Sequence, residues 1–237
     1  LMKRASELML LRRPVPTGLE RLDALIGGLR PGALHIFYGD RAVTDLVLYR
    51  LMVEASKHGL VAYLNNTDYY GEKTFIDATS LSTVSKMAGV EPLKVLSAIH
   101  CAAAFNARRQ ICAAEELSED IGKRERVALI AVHNASAFLD REGGEASSAL
   151  VKSVSILMEA ASRASAPLVV TAPSIEDSPD PARDMPRLPA QIIHRAAVIV
   201  FFRPEELGSR RQARQAHFTS CSAAGLPRLL PLAGGLG

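Results

Sequence analysis

Short apolar runs alternate along the chain with longer stretches in which apolar residues recur at helical spacing. Five runs predict buried strands, at residues 33–38, 61–64, 94–101, 127–132 and 167–171. Five stretches predict helices, at residues 17–25, 42–58, 72–88, 106–119 and 148–164. Because strands alternate with helices, the pattern predicts an α/β fold with a mostly parallel central sheet flanked by helices.

Capping and turn residues mark where several of these elements begin and end. Thr17, followed three residues later by Glu20, predicts a capping box at the start of the first helix. Polar and proline-rich composition predicts loops over residues 141–147 and 173–189.

The C-terminal part of the chain has the pattern of a β-hairpin. Its predicted strands cover residues 198–202 and 212–220, with a turn between them. The whole pattern divides into an N-terminal arm (1–16), a core domain (17–220) and a C-terminal tail (221–237).

The composition is that of a soluble globular protein, since 48% of residues are hydrophobic and 22% are charged. No apolar run is long enough to cross a membrane, and the first residues lack the apolar core of a signal peptide. The three cysteines, Cys101, Cys112 and Cys221, have no metal-binding spacing. We therefore expect a cytoplasmic protein with buried free thiols and no membrane contact.

The turn between the first predicted strand and the following helix carries the most informative chemistry. A phosphate-binding turn at this place needs several glycines, then a lysine and a Ser or Thr. The segment 38–46 instead has one glycine, Gly39, no lysine, and two carboxylates, Asp40 and Asp45. Two carboxylates near a helix N-terminus repel a triphosphate, so this turn is not expected to bind one.

Several fragments occur in an order that is typical of one known family. They are Thr17-Gly18-Leu19, Leu22-Asp23, Leu25-Ile26-Gly27-Gly28, Pro31-Gly32, Tyr38-Gly39-Asp40, Val61-Ala62-Tyr63-Leu64, Phe105-Asn106 with Gln110, and Val127 to Ser136. In order and spacing they resemble the RecA/RadA recombinase family, most closely the archaeal RadA paralogues. The resemblance extends from about residue 17 to residue 220 and implies a RecA-like core.

The resemblance also shows where this chain departs from the family in the phosphate-binding loop. The family's loop is two residues longer and contains Gly-Lys-Thr. Aligned from the helix side, its lysine falls on Val43 and its magnesium-binding threonine on Thr44. Val43 cannot place positive charge on the phosphates.

Three further family positions fall on residues of different chemistry. The acid that activates water falls on Thr67, with Asp68 next to it. The magnesium-holding Asp of the second nucleotide strand falls on His133, followed by Asn134, and the coupling Gln falls near Pro173. Mg²⁺ prefers oxygen ligands, and threonine has no acid–base capacity near neutral pH.

These changes together predict an inactive ATPase fold without a nucleotide cofactor. His133 has no Cys, His or Asp at ligand spacing near it in sequence, so we expect a hydrogen-bonded strand-end histidine and no metal. Asp68 as a shifted general base is the weaker alternative, because the lysine is missing.

Candidate nucleic-acid contacts follow from the two loops with which the family binds DNA, here about 140–148 and 174–190. The net charge of +3 is too small to argue for nucleic acid by itself. The basic candidates are Arg141, Arg183, Arg187, Arg210, Arg211 and Arg214. Nearby carboxylates oppose the loop arginines, and the last three arginines form the best local basic cluster.

The resemblance implies a non-hydrolysing paralogue that supports homologous recombination and DNA repair. Its expected partner is a RadA-type recombinase or another paralogue, with single-stranded DNA or a second copy of the chain as further candidates. Two alternatives stay open. One is a RecA-like scaffold similar to the Elongator accessory ring subunits, which bind tRNA, and the other is a KaiC-like ATPase relative.

Overall fold

The structure is a computed structural model that describes residues 13–67, 75–175 and 184–204, and the backbone of two short strands at 216–221 and 228–229. The helices are α1 (Glu20–Ile26), α2 (Arg41–Ser56), α3 (Ala78–Met87), α4 (Pro92–Ser97), α5 (Ala107–Gly122), α6 (Leu139–Ala164) and α7 (Ala190–Ile193). The strands are β1 (Leu34–Gly39), β2 (Leu60–Asn66), β3 (Ile99–Ala104), β4 (Val127–His133), β5 (Leu168–Ala172), β6 (Ser174–Ile175), β7 (Met185–Pro186), β8 (Ala196–Pro204), β9 (Ala216–Cys221) and β10 (Arg228–Leu229).

The central sheet confirms the predicted α/β class. Its strand order is β10-β9-β8-β1-β5-β4-β2-β3. The six strands from β8 to β3 are parallel, whereas β8–β9 and β9–β10 are antiparallel. The predicted C-terminal hairpin is therefore present as β8 and β9.

Both faces of the parallel sheet are covered by helices, which explains why the central strands are almost continuously apolar. On one face, Ile36 and Val170 belong to a core with α5 and α6. On the other face, Phe37 and Val169 belong to a core with α2, α3 and α4. The alternation of neighbouring strand residues between these cores follows from the two-residue period of a strand.

The prediction of a strand over residues 94–101 was wrong. Residues Pro92–Ser97 form helix α4, and the strand occupies Ile99–Ala104. Proline is well accommodated in the first turn of a helix because its missing N–H is not needed there. The apolar spacing of this short segment did not distinguish a helical turn from a strand.

The predicted loop over residues 141–147 was also wrong, because this segment lies within α6. The helix contains a kink at Gly143, which has φ 53° and ψ −127°. A residue with a side chain adopts such a conformation only at a cost, so the glycine permits the helix to change direction here. Gly143 and Gly144 therefore mark a kink within the helix and not a helix boundary.

The start of the first helix and the loop over residues 173–189 also differ in detail from the predictions. Helix α1 begins at Glu20, after an N-cap residue, Leu19, that makes no side-chain cap. The expected capping box is absent, and the backbone N–H of Thr17 instead donates to Asp23 Oδ1 at 2.9 Å. Part of the predicted loop 173–189 forms the β6–β7 pair, whereas residues 176–183 lie outside the described residues.

The described cysteines are less buried than expected. Cys101 and Cys112 are free thiols of intermediate exposure, and burial raises the pKa of Cys101 to about 11. The side chain of Cys221 lies outside the described part. Among the described helices, none combines the length and apolar character needed to cross a membrane.

Candidate functional site

The carboxyl ends of β1, β2, β4 and β5 meet at one edge of the sheet, where open α/β sheets bind their ligands. Two adjoining clefts lie at this edge and share Arg41, Asp45 and His133. The first, of about 300 Å³, is also lined by Tyr49, Tyr63, Asn65, Asn66, Thr67 and Asp77. The second, of about 110 Å³, is also lined by Thr44, Asn134, Thr171, Ala172 and Pro173. The structure thus brings together most of the candidate nucleotide-site residues.

The turn from β1 to α2 consists of a single residue, Asp40, between Gly39 and Arg41. Asp40 is the N-cap of α2, and the backbone N–H of Val43 donates to its Oδ1 at 2.9 Å. A phosphate at a helix N-terminus is held by these same first-turn N–H groups. The chain's own carboxylate therefore uses a donor that a phosphate group would need.

Gly39 has a packing role that is independent of phosphate. Its φ is +123°, and a Cβ at this position would lie 2.0 Å from the carbonyl oxygen of Phe202. The N–H of Asp40 donates to the same carbonyl at 2.9 Å, so β1 and β8 approach closely at this point. The glycine is required by strand packing, which is a sufficient reason for its presence.

Thr44, which the resemblance aligns with a magnesium-binding threonine, has its hydroxyl turned to the backbone. The residue is 3% exposed. Its Oγ1 lies 3.0 Å from the carbonyl oxygen of Asp40 and 3.0 Å from that of Arg41, and it can donate to either of them. The hydroxyl hydrogen of Thr44 is therefore used within the first turn of α2.

His133 lies at the centre of the site, and both of its ring nitrogens are hydrogen-bonded. Nε2 lies 2.7 Å from Asp45 Oδ1, and Nδ1 lies 2.7 Å from the hydroxyl of Tyr63. A carboxylate can only accept, so Nε2 carries a hydrogen; in the neutral ring Nδ1 accepts from Tyr63. The predicted hydrogen-bonded histidine is confirmed, but its partner Asp45 is 88 positions away in sequence and was not foreseen.

Two buried tyrosines continue the hydrogen bonds that begin at His133. Burial, and after it the carboxylates of Asp45 and Asp77, raises the pKa of Tyr49 to about 12. Burial also raises the pKa of Tyr63, which is hydrogen-bonded to Tyr49, well above its ordinary value. Both tyrosines are therefore neutral hydroxyl groups near pH 7, and neither is an activated nucleophile.

A set of carboxamides fixes the backbone where β4 ends. Asn66 Nδ2 donates to the carbonyl of His133 at 2.9 Å, and Gln110 Nε2 donates to Asn66 Oδ1 at 3.0 Å. Asn134 donates through Nδ2 to the carbonyl of Asn66, and its backbone N–H donates to Thr171 Oγ1. The buried side chains of Asn66 and Gln110 are thus hydrogen-bonded, as buried polar groups must be.

Thr67, which the resemblance aligns with a catalytic acid, lies at the rim of the larger cleft. Thr67 follows the last residue of β2, and its backbone N–H donates to the carbonyl of Ala104 at 3.0 Å. Asp68, the alternative base, lies outside the described residues. Pro173, near which the resemblance places the coupling Gln, lines the smaller cleft, and its carbonyl accepts from the backbone N–H of Arg187.

Two of the candidate nucleic-acid contacts are already engaged by neighbouring side chains. Arg187 donates to Asp140 Oδ1, so a carboxylate neutralises it in part. The guanidinium carbon of Arg141 lies 5.7 Å from the ring centroid of Phe138, a cation–π arrangement. The remaining candidates, Arg183, Arg210, Arg211 and Arg214, lie outside the described part of the chain.

Sequence reasoning missed Tyr49 and Tyr63 as parts of the site, whereas Asn66 belongs to the polar segment 65–68 that was expected at the ligand-binding edge. Tyr63 lies only three positions before Asn66 on β2, and this polar end of an otherwise apolar strand was the available signal. Tyr49 lies in the buried face of α2, where an aromatic residue is normally read as core.

Removing the Asp40 carboxylate tests its role as a helix cap. Asp40→Ala is expected to lower the free energy of unfolding by about 1 kcal/mol, because the Val43 N–H loses its acceptor. Glu91→Ala is the matched control, since Glu91 is the N-cap of α4 but makes no side-chain cap. Chemical denaturation measures both changes, and equal losses in the two variants would contradict the capping role.

Comparison of the chain with known protein families finds no family model that matches it, and comparison with curated proteins finds no match either.

Proposed function

We propose that the chain is a non-hydrolysing relative of the RecA/RadA recombinases, which acts by binding a protein partner. The observation that carries the proposal is the hydrogen bond from the Val43 N–H to the Asp40 carboxylate. It uses one of the first-turn N–H groups with which the helix N-terminus would otherwise bind a nucleotide phosphate. The one-residue turn supplies no further backbone N–H groups to surround an anion.

Electrostatics support the same conclusion. Two like unit charges about 4 Å apart near a protein surface repel by roughly 4 kcal/mol. That energy corresponds to roughly three orders of magnitude in affinity. A phosphate placed beside Asp40 therefore begins with a large disadvantage. Val43 offers no compensating cation, and the guanidinium of Arg41 at this edge is already paired with Asp45, at 3.8 Å.

The residues at the metal position do not fit hydrated Mg²⁺. His133 uses both ring nitrogens within the chain, and the Thr44 hydroxyl donates to the backbone. Phosphoryl transfer depends almost wholly on positioning and charge neutralisation, for which these side chains supply no cation. No nucleotide or metal step is therefore assigned to this site.

Without nucleotide chemistry, the activity we propose is docking against a RadA-type recombinase or another paralogue during recombinational repair. Members of the family assemble side by side with the nucleotide between neighbours. A protomer whose cleft does not bind nucleotide can still pair with such a neighbour or cap a row of them. Single-stranded DNA is the further partner, through Arg141 and Arg187 at the same edge of the sheet.

The first test measures nucleotide binding and phosphate release by the purified chain with magnesium, with a hydrolysing RadA-type recombinase as positive control. We expect no saturation by ATP at about 1 mM and no release above buffer, as the charge argument requires. Phosphate release that is abolished in Thr44→Val would overturn the proposal. Magnesium-dependent nucleotide binding would favour a KaiC-like relative.

The second test identifies the partner. We expect the chain to retain a RadA-type recombinase or a paralogue in a pull-down from its own organism. Any binding to single-stranded DNA should weaken with salt and weaken further in Arg187→Gln, whereas Arg163→Gln, on the distant end of α6, serves as the control. Preferential salt-dependent binding to tRNA would instead favour a scaffold of the Elongator type.

A further inference from the structure

Side-chain hydrogen bonds hold the turn that follows β4. We call His133, Asn134, Asn66 and Gln110 the β4 clamp. Its members lie on β2, α5 and the end of β4, and hydrogen bonds connect each of them to another member or to its backbone. Asp45 and Tyr63 anchor the clamp from α2 and β2 by fixing the ring of His133.

The clamp surrounds a backbone conformation that needs support. Asn134 has φ +51°, in the left-handed region that residues with side chains seldom adopt. Asparagine tolerates this region better than most residues, but the conformation persists only where neighbouring contacts determine it. Here the Asn134 side chain donates to β2 and its backbone N–H donates to Thr171 on β5.

Residues 135–142, which we call the α6 start segment, follow directly from this turn. At its beginning, Gln110 donates to the carbonyl of Ala135 at 3.2 Å. At its end, the backbone N–H of Ala107 donates to Glu142 Oε2 at 3.0 Å. Both ends are therefore attached to the first turns of α5, immediately before the kink at Gly143.

We propose that the β4 clamp, together with Glu142, holds the α6 start segment in one conformation without any ligand. The segment carries Asp140 and Arg141, so the surface at this edge of the sheet is presented permanently and is not switched by a nucleotide. This inference rests on the proposed function only for the use of that surface in partner binding. The positioning itself is a property of the folded chain.

Amide hydrogen exchange of the full chain tests the positioning. Gln110→Met keeps the side-chain length but removes both hydrogen bonds, to Asn66 and to Ala135. We expect the amides of residues 135–142 to exchange up to roughly thirtyfold faster in this variant, because two hydrogen bonds are lost and each loss shifts the opening equilibrium about fivefold. Exchange in β8, on the other side of β1, should not change.

A second variant acts at the opposite end and does not disturb the buried clamp. Glu142→Ala should accelerate exchange of the Ala107 amide by about tenfold, because it removes the acceptor. Glu142→Gln should restore protection, since its carboxamide oxygen can also accept. Ser153→Ala is the matched control, because its hydroxyl bonds within α6 to Ala149, away from the segment.

Three results would overturn the inference. One is unchanged exchange of residues 135–142 in Gln110→Met, and another is an equal acceleration of all amides, which indicates only a global loss of stability. The third is added protection of the α6 start segment in the unmodified chain on addition of Mg-ATP. Failure to capture a recombinase partner contradicts the proposed function and leaves these exchange results unaffected.

Discussion

Gly39→Ala is expected to destabilise the protein by at least about 4 kcal/mol, enough to prevent stable folding of an ordinary domain. An added Cβ would lie 2.0 Å from the carbonyl oxygen of Phe202, and the backbone atoms of β1 and β8 cannot move apart without breaking the sheet. The φ of +123° adds strain for any residue with a side chain. Thermal and chemical denaturation measure the loss.

Gly122→Ala provides the control for this prediction. Gly122 ends α5, and a Cβ there would meet no atom within 4 Å. We expect stability to stay the same or to increase by up to about 1 kcal/mol, because alanine favours the helix. A Gly39→Ala protein that folds with normal stability would show that the close approach to β8 does not require a glycine.

Acidification is expected to remove about 3 kcal/mol of stability through His35 alone. His35 is fully buried, and burial lowers its pKa from 6.5 to about 4. Between these two pKa values the unfolded chain binds a proton that the folded chain does not, so the free energy of unfolding falls as the pH falls. The contribution is complete above pH 6.5, declines below it and is lost once the pH passes below about 4.

The fixed hydrogen bonds of His35 explain why the folded protein resists its protonation. Nε2 accepts from the backbone N–H of Arg30 at 3.0 Å, so a proton on this nitrogen would break that bond. Denaturation measured from pH 7 to pH 4 should show a smaller slope in His35→Asn than in the unmodified chain. His194→Asn changes an exposed histidine and should keep the original slope; equal slopes in all three proteins would refute the assignment.

Only part of the chemistry of the candidate site can be predicted from the sequence. Val43, Asp40 and the absence of a lysine at the turn are visible in the sequence and predict that this turn does not bind phosphate. Nothing in the sequence indicates that Asp45 contacts His133, because β4 is separated from α2 by several elements. Their contact follows from the order in which parallel strands are placed, which brings distant strand ends together.

The errors in local structure have related causes. Residues 92–97 form a helix because a proline begins it, although their apolar spacing also suits a strand. Residues 141–147 are helical because the first turns of α5 hold Glu142 and the glycine that follows permits a kink. In both cases a short segment had two compatible conformations, and tertiary contacts or capping selected one of them.

The sequence by itself determined the α/β class, the parallel strands and the absence of a lysine from the first turn of α2. These depend on hydrophobic period and residue chemistry, which are local properties. Only the tertiary structure decided that Gly39 lies against the carbonyl of Phe202 and that Asp45, Tyr63 and Asn66 meet around His133. Such contacts join residues far apart in the chain, so their geometry exists only once the sheet is assembled.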